Sequence, residues 1–233
     1  MMIKLGKSRT FAFGIQNMIK NNLNKHTRKE TGFEANTNII PSETPIIDKL
    51  EAIKEAQKLY NKVGSTYDAM MLENVSTDLN KIIKELEIKV RIIDLKAFYE
   101  ENKEVFVEKD ISGILVNDDG ECTIYVNDSD SKESKRFTVA HEIGHYLLGH
   151  LKGGINVAYQ NDLNFAFKRK NSLSPRSTSK EEIAANSFAT ELLMPELIVK
   201  YVYILFGSVE KVALAFGVSE EMAYYRLRNL KAI

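Results

Sequence analysis

Apolar residues recur at helical spacing through much of this 233-residue chain, and the breaks between them are marked by Gly and Pro. Ile46, Leu50, Ile53, Ala56 and Leu59 form one buried stripe. They predict a helix that starts near Pro45, is capped by Thr44 and stops at Gly64. Leu79, Ile82, Ile83 and Leu86 predict a second helix over 77–86. The period then shortens. Residues 89–95 are rich in β-branched side chains and read as a strand. Ile111–Val116 and Cys122–Val126 flank Asn117-Asp118-Asp119-Gly120, which predicts a β-hairpin. A helix is expected over 136–151, with Ser131 or Ser134 near its start. Gly153-Gly154 and Ser174-Pro175 mark 152–178 as a long loop, with a short helix around 163–167. A further helix runs over 180–193 and ends ahead of Pro195. Two or three short helices, separated at Gly207 and Gly217, complete the chain.

Composition narrows what such a chain can do. It is 44% hydrophobic and 27% charged, ordinary for a protein that buries a core. The 32 basic and 32 acidic side chains give no net charge, so no global field draws it to nucleic acid or an anionic membrane. One Cys, Cys122, excludes an internal disulfide framework and a thiolate-rich metal site, and fits a reducing cytosol. No apolar run approaches the roughly 18 residues of a membrane span. The first thirty residues carry seven basic side chains against Glu30 alone, a local charge of +6. Gln16 and Asn17 interrupt their apolar stretch, so they do not read as a secretory signal. Phe11, Ile15, Met18 and Ile19 allow a short amphipathic helix there. The expected organisation is a basic arm and linker over 1–44, a main domain over 45–195 and a helical subdomain over 196–233.

The chemistry concentrates in one helix. Three of the four His fall between 141 and 150, and His141-Glu142-Ile143-Gly144-His145 is an H-E-x-x-H motif. Four residues advance a helix by about 400°, so His141 and His145 lie one turn apart on one face and can share a zinc ion. Glu142 stands about 100° further round, placed to take a proton from an attacking water. Phe137, Val139, Ala140, Leu147 and Leu148 make this helix largely buried, where two unpartnered His would be costly.

A catalytic zinc keeps three protein ligands. His150, nine residues after His141, is about 180° around the helix and is expected to point away from the metal, beside the helix end. Leu148 and Leu151 stand where a metzincin needs Gly and His. On the next helix Glu182 and Asn186 share a face. Glu182 can bind zinc while Asn186 hydrogen-bonds a ligating His. Ser179-x-x-Glu182 is also a capping box, and Thr178-x-x-Glu181 offers the same box one residue earlier. Periodicity does not choose between these registers.

Arg136-Phe137-Thr138-Val139-Ala140-His141-Glu142-Ile143-Gly144-His145, followed by Glu182-x-x-Ala185-Asn186-x-Phe188-Ala189-x-Glu191-Leu192-Leu193-Met194-Pro195, resembles the ImmA/IrrE family of bacterial and phage metallopeptidases. The resemblance weakens outward, spans about residues 50–230 and leaves the basic arm uncovered. It implies a zincin-like α+β domain in which a small sheet packs on the H-E-x-x-H helix. It further implies His141, His145 and Glu182 as zinc ligands and Glu142 as general base. The implied partner is a protein substrate in the cytosol, a transcriptional repressor of a phage, mobile element or stress pathway.

Other assignments stay open at this level. Tyr146, Tyr159 and His150 are equal candidates to stabilise an oxyanion. Ile111–Val116, with Gly113, is a candidate to hold an extended substrate as an added strand; Gly113 can equally mark a bulge. Phe216-Gly217-Val218-Ser219 and the helix after it resemble a helix-turn-helix. Glu220 and Glu221 at that helix start would repel phosphate, and 196–233 carries five basic against four acidic residues, so direct nucleic-acid binding is not expected. The alternative to a peptidase is a zinc-containing regulatory protein that acts by association with a repressor or antitoxin-like partner.

Overall fold

The computed structural model describes residues 49–63, 75–101, 111–118, 121–151, 155–159 and 180–233. Its elements in chain order are α1 (Lys49–Val63), α2 (Leu79–Glu85), β1 (Lys89–Ile93), α3 (Leu95–Glu101), β2 (Ile111–Asp118), β3 (Glu121–Asn127), α4 (Lys132–Leu147), β4 (Ile155–Tyr159), α5 (Lys180–Leu193), α6 (Glu196–Phe206), α7 (Val209–Phe216) and α8 (Glu220–Asn229). The architecture is α+β. The expected basic arm, its linker and the short helix around 163–167 lie outside the described residues. No described helix is long and apolar enough to cross a membrane.

The strands form one mixed sheet in the order β1-β3-β2-β4. β2 and β3 are the expected hairpin, paired antiparallel from Gly113↔Val126 to Asp118↔Glu121. β1 joins β3 in parallel, and β4 joins β2 antiparallel. β4 falls inside the stretch read as a loop, and α3 follows β1 in a stretch for which no element was expected. β2 is therefore internal, with both edges already paired, and cannot take up a substrate strand. Of the two expectations for Gly113, the bulge is the one observed. The β2–β4 register slips between Ile111 and Gly113, as a bulge requires. At the same place a Cβ on Gly113 would stand 2.4 Å from Thr138 Cγ2 and 3.3 Å from Glu142 Oε1. Glycine there lets the sheet lie directly against α4.

Ser131 caps α4, its side chain accepting from Ser134 N–H at 3.1 Å, so the helix begins earlier than its apolar pattern. It also ends earlier, at Leu147. Every residue from Phe137 to His145 is buried, because the sheet covers one side of α4 and α5 the other. In α1 the inward face is Ala52, Ala56, Leu59 and Val63. Leu50, expected in that stripe, is 65% exposed. The small Ala52 and Ala56 set the phase, since they allow α1 to pack closely on α5.

One hydrophobic cluster runs from Ala52 in α1 to Leu227 in α8. A buried polar knot holds its far end. Glu191 in α5 pairs with the Arg226 guanidinium of α8, accepts from Gln57 Nε2 of α1 at 3.0 Å, and faces the Glu196 N–H of α6 at 3.4 Å. Arg226 Nε also donates to the Met194 carbonyl at 3.0 Å, and Thr77 Oγ1 donates to the Leu192 carbonyl at 2.6 Å. The last carbonyls of α5 thus find donors from outside the helix. Removing one partner of such a pair strands the other charge in the interior. Glu191→Ala is expected to cost about 3–5 kcal/mol in denaturant-induced unfolding. A loss under about 1 kcal/mol would show that solvent already reaches Arg226.

Candidate metal centre

Two helices build the site, and a missing side chain lets them meet. A Cβ on Gly144 would stand 3.1 Å from Phe188 Cδ1 and 3.3 Å from the Ala185 backbone. With glycine there, α4 and α5 cross in backbone contact. His141 and His145 face α5 from one side, and Glu182, in the first turn of α5, faces back. His145 Nε2 lies 2.9 Å from His141 Nε2. Glu182 Oε2 is 3.4 Å from His141 Nε2, and Glu182 Oε1 is 3.2 Å from His145 Nε2. Both His are buried and the Glu182 side chain is 17% exposed. Among the described residues this is the one grouping of His, Cys, Asp or Glu able to hold a metal ion.

The donor set fits a tetrahedral transition metal. An ion about 2.0–2.2 Å from each donor keeps tetrahedral donors roughly 3.3–3.6 Å apart, close to the spacings found. Two imidazoles and one carboxylate suit zinc and its neighbours better than magnesium or calcium, which take oxygen ligands. His141 also satisfies the orientation such a ligand needs. Its Nδ1 lies 2.8 Å from Asn186 Oδ1. An amide oxygen can only accept, so His141 carries a hydrogen on Nδ1 and presents Nε2 toward Glu182. Of the two roles open to Glu182, its carboxylate is engaged with the imidazoles. Residues 178 and 179 of the competing capping boxes lie outside the described residues.

The charges are arranged around one proton. Burial works against charge on His141, but the hydrogen bond and charge of Glu182 outweigh it and raise its pKa above the ordinary 6.5. Burial and the adjacent His141 push His145 down to about 4. Burial opposes ionisation of Glu182 too, yet the hydrogen bonds of both imidazoles hold it well below the usual carboxylate range. These shifts favour a proton on His141 over His145 and Glu182, and a bound cation would take that proton's place.

Glu142 is fully buried, lies against Gly113 of β2, and adds its charge to those acting on His141. Cys122 sits near enough to feel it. Burial first, and then Glu142, raise the thiol to about 11, which leaves it protonated and unreactive. Tyr146 packs against the hydrophobic core, and the Tyr159 side chain lies outside the described residues. Helical counting misplaced one residue: His150 does not point away but touches His145, Nδ1 to Nδ1 at 3.1 Å. Counting at 100° per residue fails because α4 has already ended.

The buried pair of imidazoles and a carboxylate converge on one point and are compatible with metal binding, with a second carboxylate, Glu142, adjacent in the chain to His141. The family model of the IrrE N-terminal-like domain, a peptidase family, matches residues 83–228, and the chain belongs to that family. It is a peptidase-family protein with a His-His-Glu cluster compatible with metal binding. No curated protein matches the chain.

Glu182→Gln is expected to lower zinc content well below one ion per chain, by elemental analysis after dialysis. Unchanged stoichiometry would remove Glu182 from the ligand set. Acid should weaken the metal through His141. Below its raised pKa each ion bound displaces one proton, so zinc affinity should fall about tenfold per pH unit between pH 6.5 and 5.5. Competition against a chromogenic chelator measures this, and a flat profile would contradict it.

Proposed function

We propose that the protein is a zinc-dependent endopeptidase of zincin-like architecture. It cleaves a specific partner in the cytosol, a transcriptional repressor of a phage, mobile element or stress pathway. The observation that carries the reading is the buried convergence of His141, His145 and Glu182, with Glu142 on the same helix as the two His. The partner class rests on the resemblance of the two sequence blocks to ImmA/IrrE peptidases.

His141, His145 and Glu182 would hold the zinc. When bound, zinc supplies a Lewis acid for the scissile carbonyl and lowers the pKa of water at the site. The remaining work falls to the chain. Glu142 takes the proton of the attacking water and returns it to the leaving amine. Its burial beside Gly113 strengthens both transfers by excluding bulk water. Asn186 holds the His141 ring in the plane and tautomer that a ligand needs.

The substrate's place in the sheet is also constrained. Among the described residues β1 and β4 are the edge strands, and β4 contacts α4. An extended substrate would pair with the outer side of β4, in place of the β2 position expected from sequence. The C-terminal helices serve packing and partner contact; Arg226, one of their few cations, is committed to Glu191 and the Met194 carbonyl.

The test is proteolysis of repressors encoded beside this gene, with and without a chelator. Wild-type protein should cleave one of them, and chelation should abolish the cleavage. Glu142→Gln should keep its zinc and lose about 10²–10⁴-fold in rate, the usual worth of a general base. Cleavage by this variant at the normal rate would sink the mechanism.

A further inference from the structure

His150 lies past the end of the helix that carries the motif, and the chain doubles back to bring it in. α4 ends at Leu147. Gly149 follows with φ of 71°, a left-handed conformation that favours glycine. The His150 N–H then donates to the His145 carbonyl at 2.9 Å. This reversal lays the His150 ring edge-on against His145, with centroids 5.0 Å apart and planes at 72°. The two Nδ1 atoms end 3.1 Å apart.

Only one of two facing ring nitrogens can carry the hydrogen between them. The Nε2 of His145 faces His141 Nε2 and Glu182 Oε1, where a metal ligand needs a bare lone pair. A neutral imidazole bare at Nε2 bears its hydrogen on Nδ1. His145 therefore donates, and His150 accepts through its own Nδ1 and keeps its hydrogen on Nε2.

We infer that His150 is a positioning residue for the metal centre. It accepts the Nδ1–H of His145 and so fixes the tautomer and plane of that ring, as the Asn186 amide oxygen does for His141. This rests on the reading of His141, His145 and Glu182 as metal ligands. His150 is not a further ligand: it meets the side of the His145 ring opposite Nε2. Each His of the pair thus has its own acceptor, one from α5 and one from the turn after α4. Partners of this kind typically carry 10–100-fold in metal affinity.

The experiment compares zinc affinity of the full chain, by competition with a fluorescent chelator, among wild type, His150→Asn and His150→Leu. The Asn side chain places an acceptor oxygen close to where Nδ1 stands; Leu fills space and accepts nothing. His150→Leu should bind zinc about 10–100-fold more weakly. His150→Asn should stay within a few-fold of wild type, and both metal-free variants should melt together. Equal affinity for wild type and His150→Leu, or equal loss in both variants, overturns the inference while leaving the ligand set intact. Failure of the wild type to bind zinc at all overturns the ligand reading and this one with it. Proton–nitrogen correlation NMR of the zinc-loaded wild type needs no variant. Hydrogen on His145 Nδ1 and His150 Nε2 supports the assignment, and hydrogen on His150 Nδ1 refutes it.

Discussion

The backbone contact between α4 and α5 at Gly144 is the constraint from which the site follows. Two His one turn apart on a helix can face a common point, but they supply only two donors. The third must come from another element, near enough for a carboxylate to bridge both rings. A side chain at position 144 would push against Phe188 and the Ala185 backbone and force them apart by a few tenths of an ångström. Glu182 lies one turn before Asn186 and on the same face, so both would retreat together. The crossing thus sets the third donor and the His141 orientation at once. Gly113 plays the same part on the other side of α4, where the sheet presses against Thr138 and Glu142.

Close packing of this kind brings ionisable groups out of water, and the site tolerates it because each group has a specified partner. Glu182 balances His141. Asn186 and His150 take up the ring nitrogens that face away from the centre. The result is a pocket of low dielectric in which the donor atoms are in place before any cation arrives. Preorganisation of that sort favours a metal over the proton it replaces, since little has to move when the exchange occurs.

What the sequence made legible is the part governed by local periodicity. The H-E-x-x-H helix, the hairpin across Asp118 and Glu121, the extent of α5 and the three C-terminal helices all follow from spacing and breakers. Errors arose where a local pattern was too short or was overridden. Among the described side chains of α3, Leu95 and Phe98 are the buried ones, too few to show a period; its start was marked instead by Asp94, which accepts from Ala97 N–H at 2.8 Å. β4 has five residues beside a Gly-Gly pair and reads as loop. The first turn of α4 is polar, so only the Ser131 cap announces it. Its apolar pattern continues through Leu148 and Leu151, but Gly149 has already turned the chain, which misdirected the placement of His150. Contacts such as Asn186 with His141 depend on the helix crossing, and the spacing admitted them without selecting them.

The second sequence block divides along α5 into two kinds of work. Glu182 and Glu191 are nine residues apart, about 180° around the helix. Glu182 therefore faces the metal centre on one side, while Glu191 faces α1, α6 and α8 on the other. The Glu191–Arg226 pair makes no contact with the donors, yet it anchors the helix that supplies one of them. Loosening that anchor would let α5 slide or rotate against α4, and a shift of one ångström at Glu182 is large compared with the tolerance of a metal bond. The latter half of the motif, from Glu191 to Pro195, is thus the foundation of the site rather than part of its chemistry. This is why the C-terminal helices, which bring no residue to the metal, are packed into the same core as the helices that do.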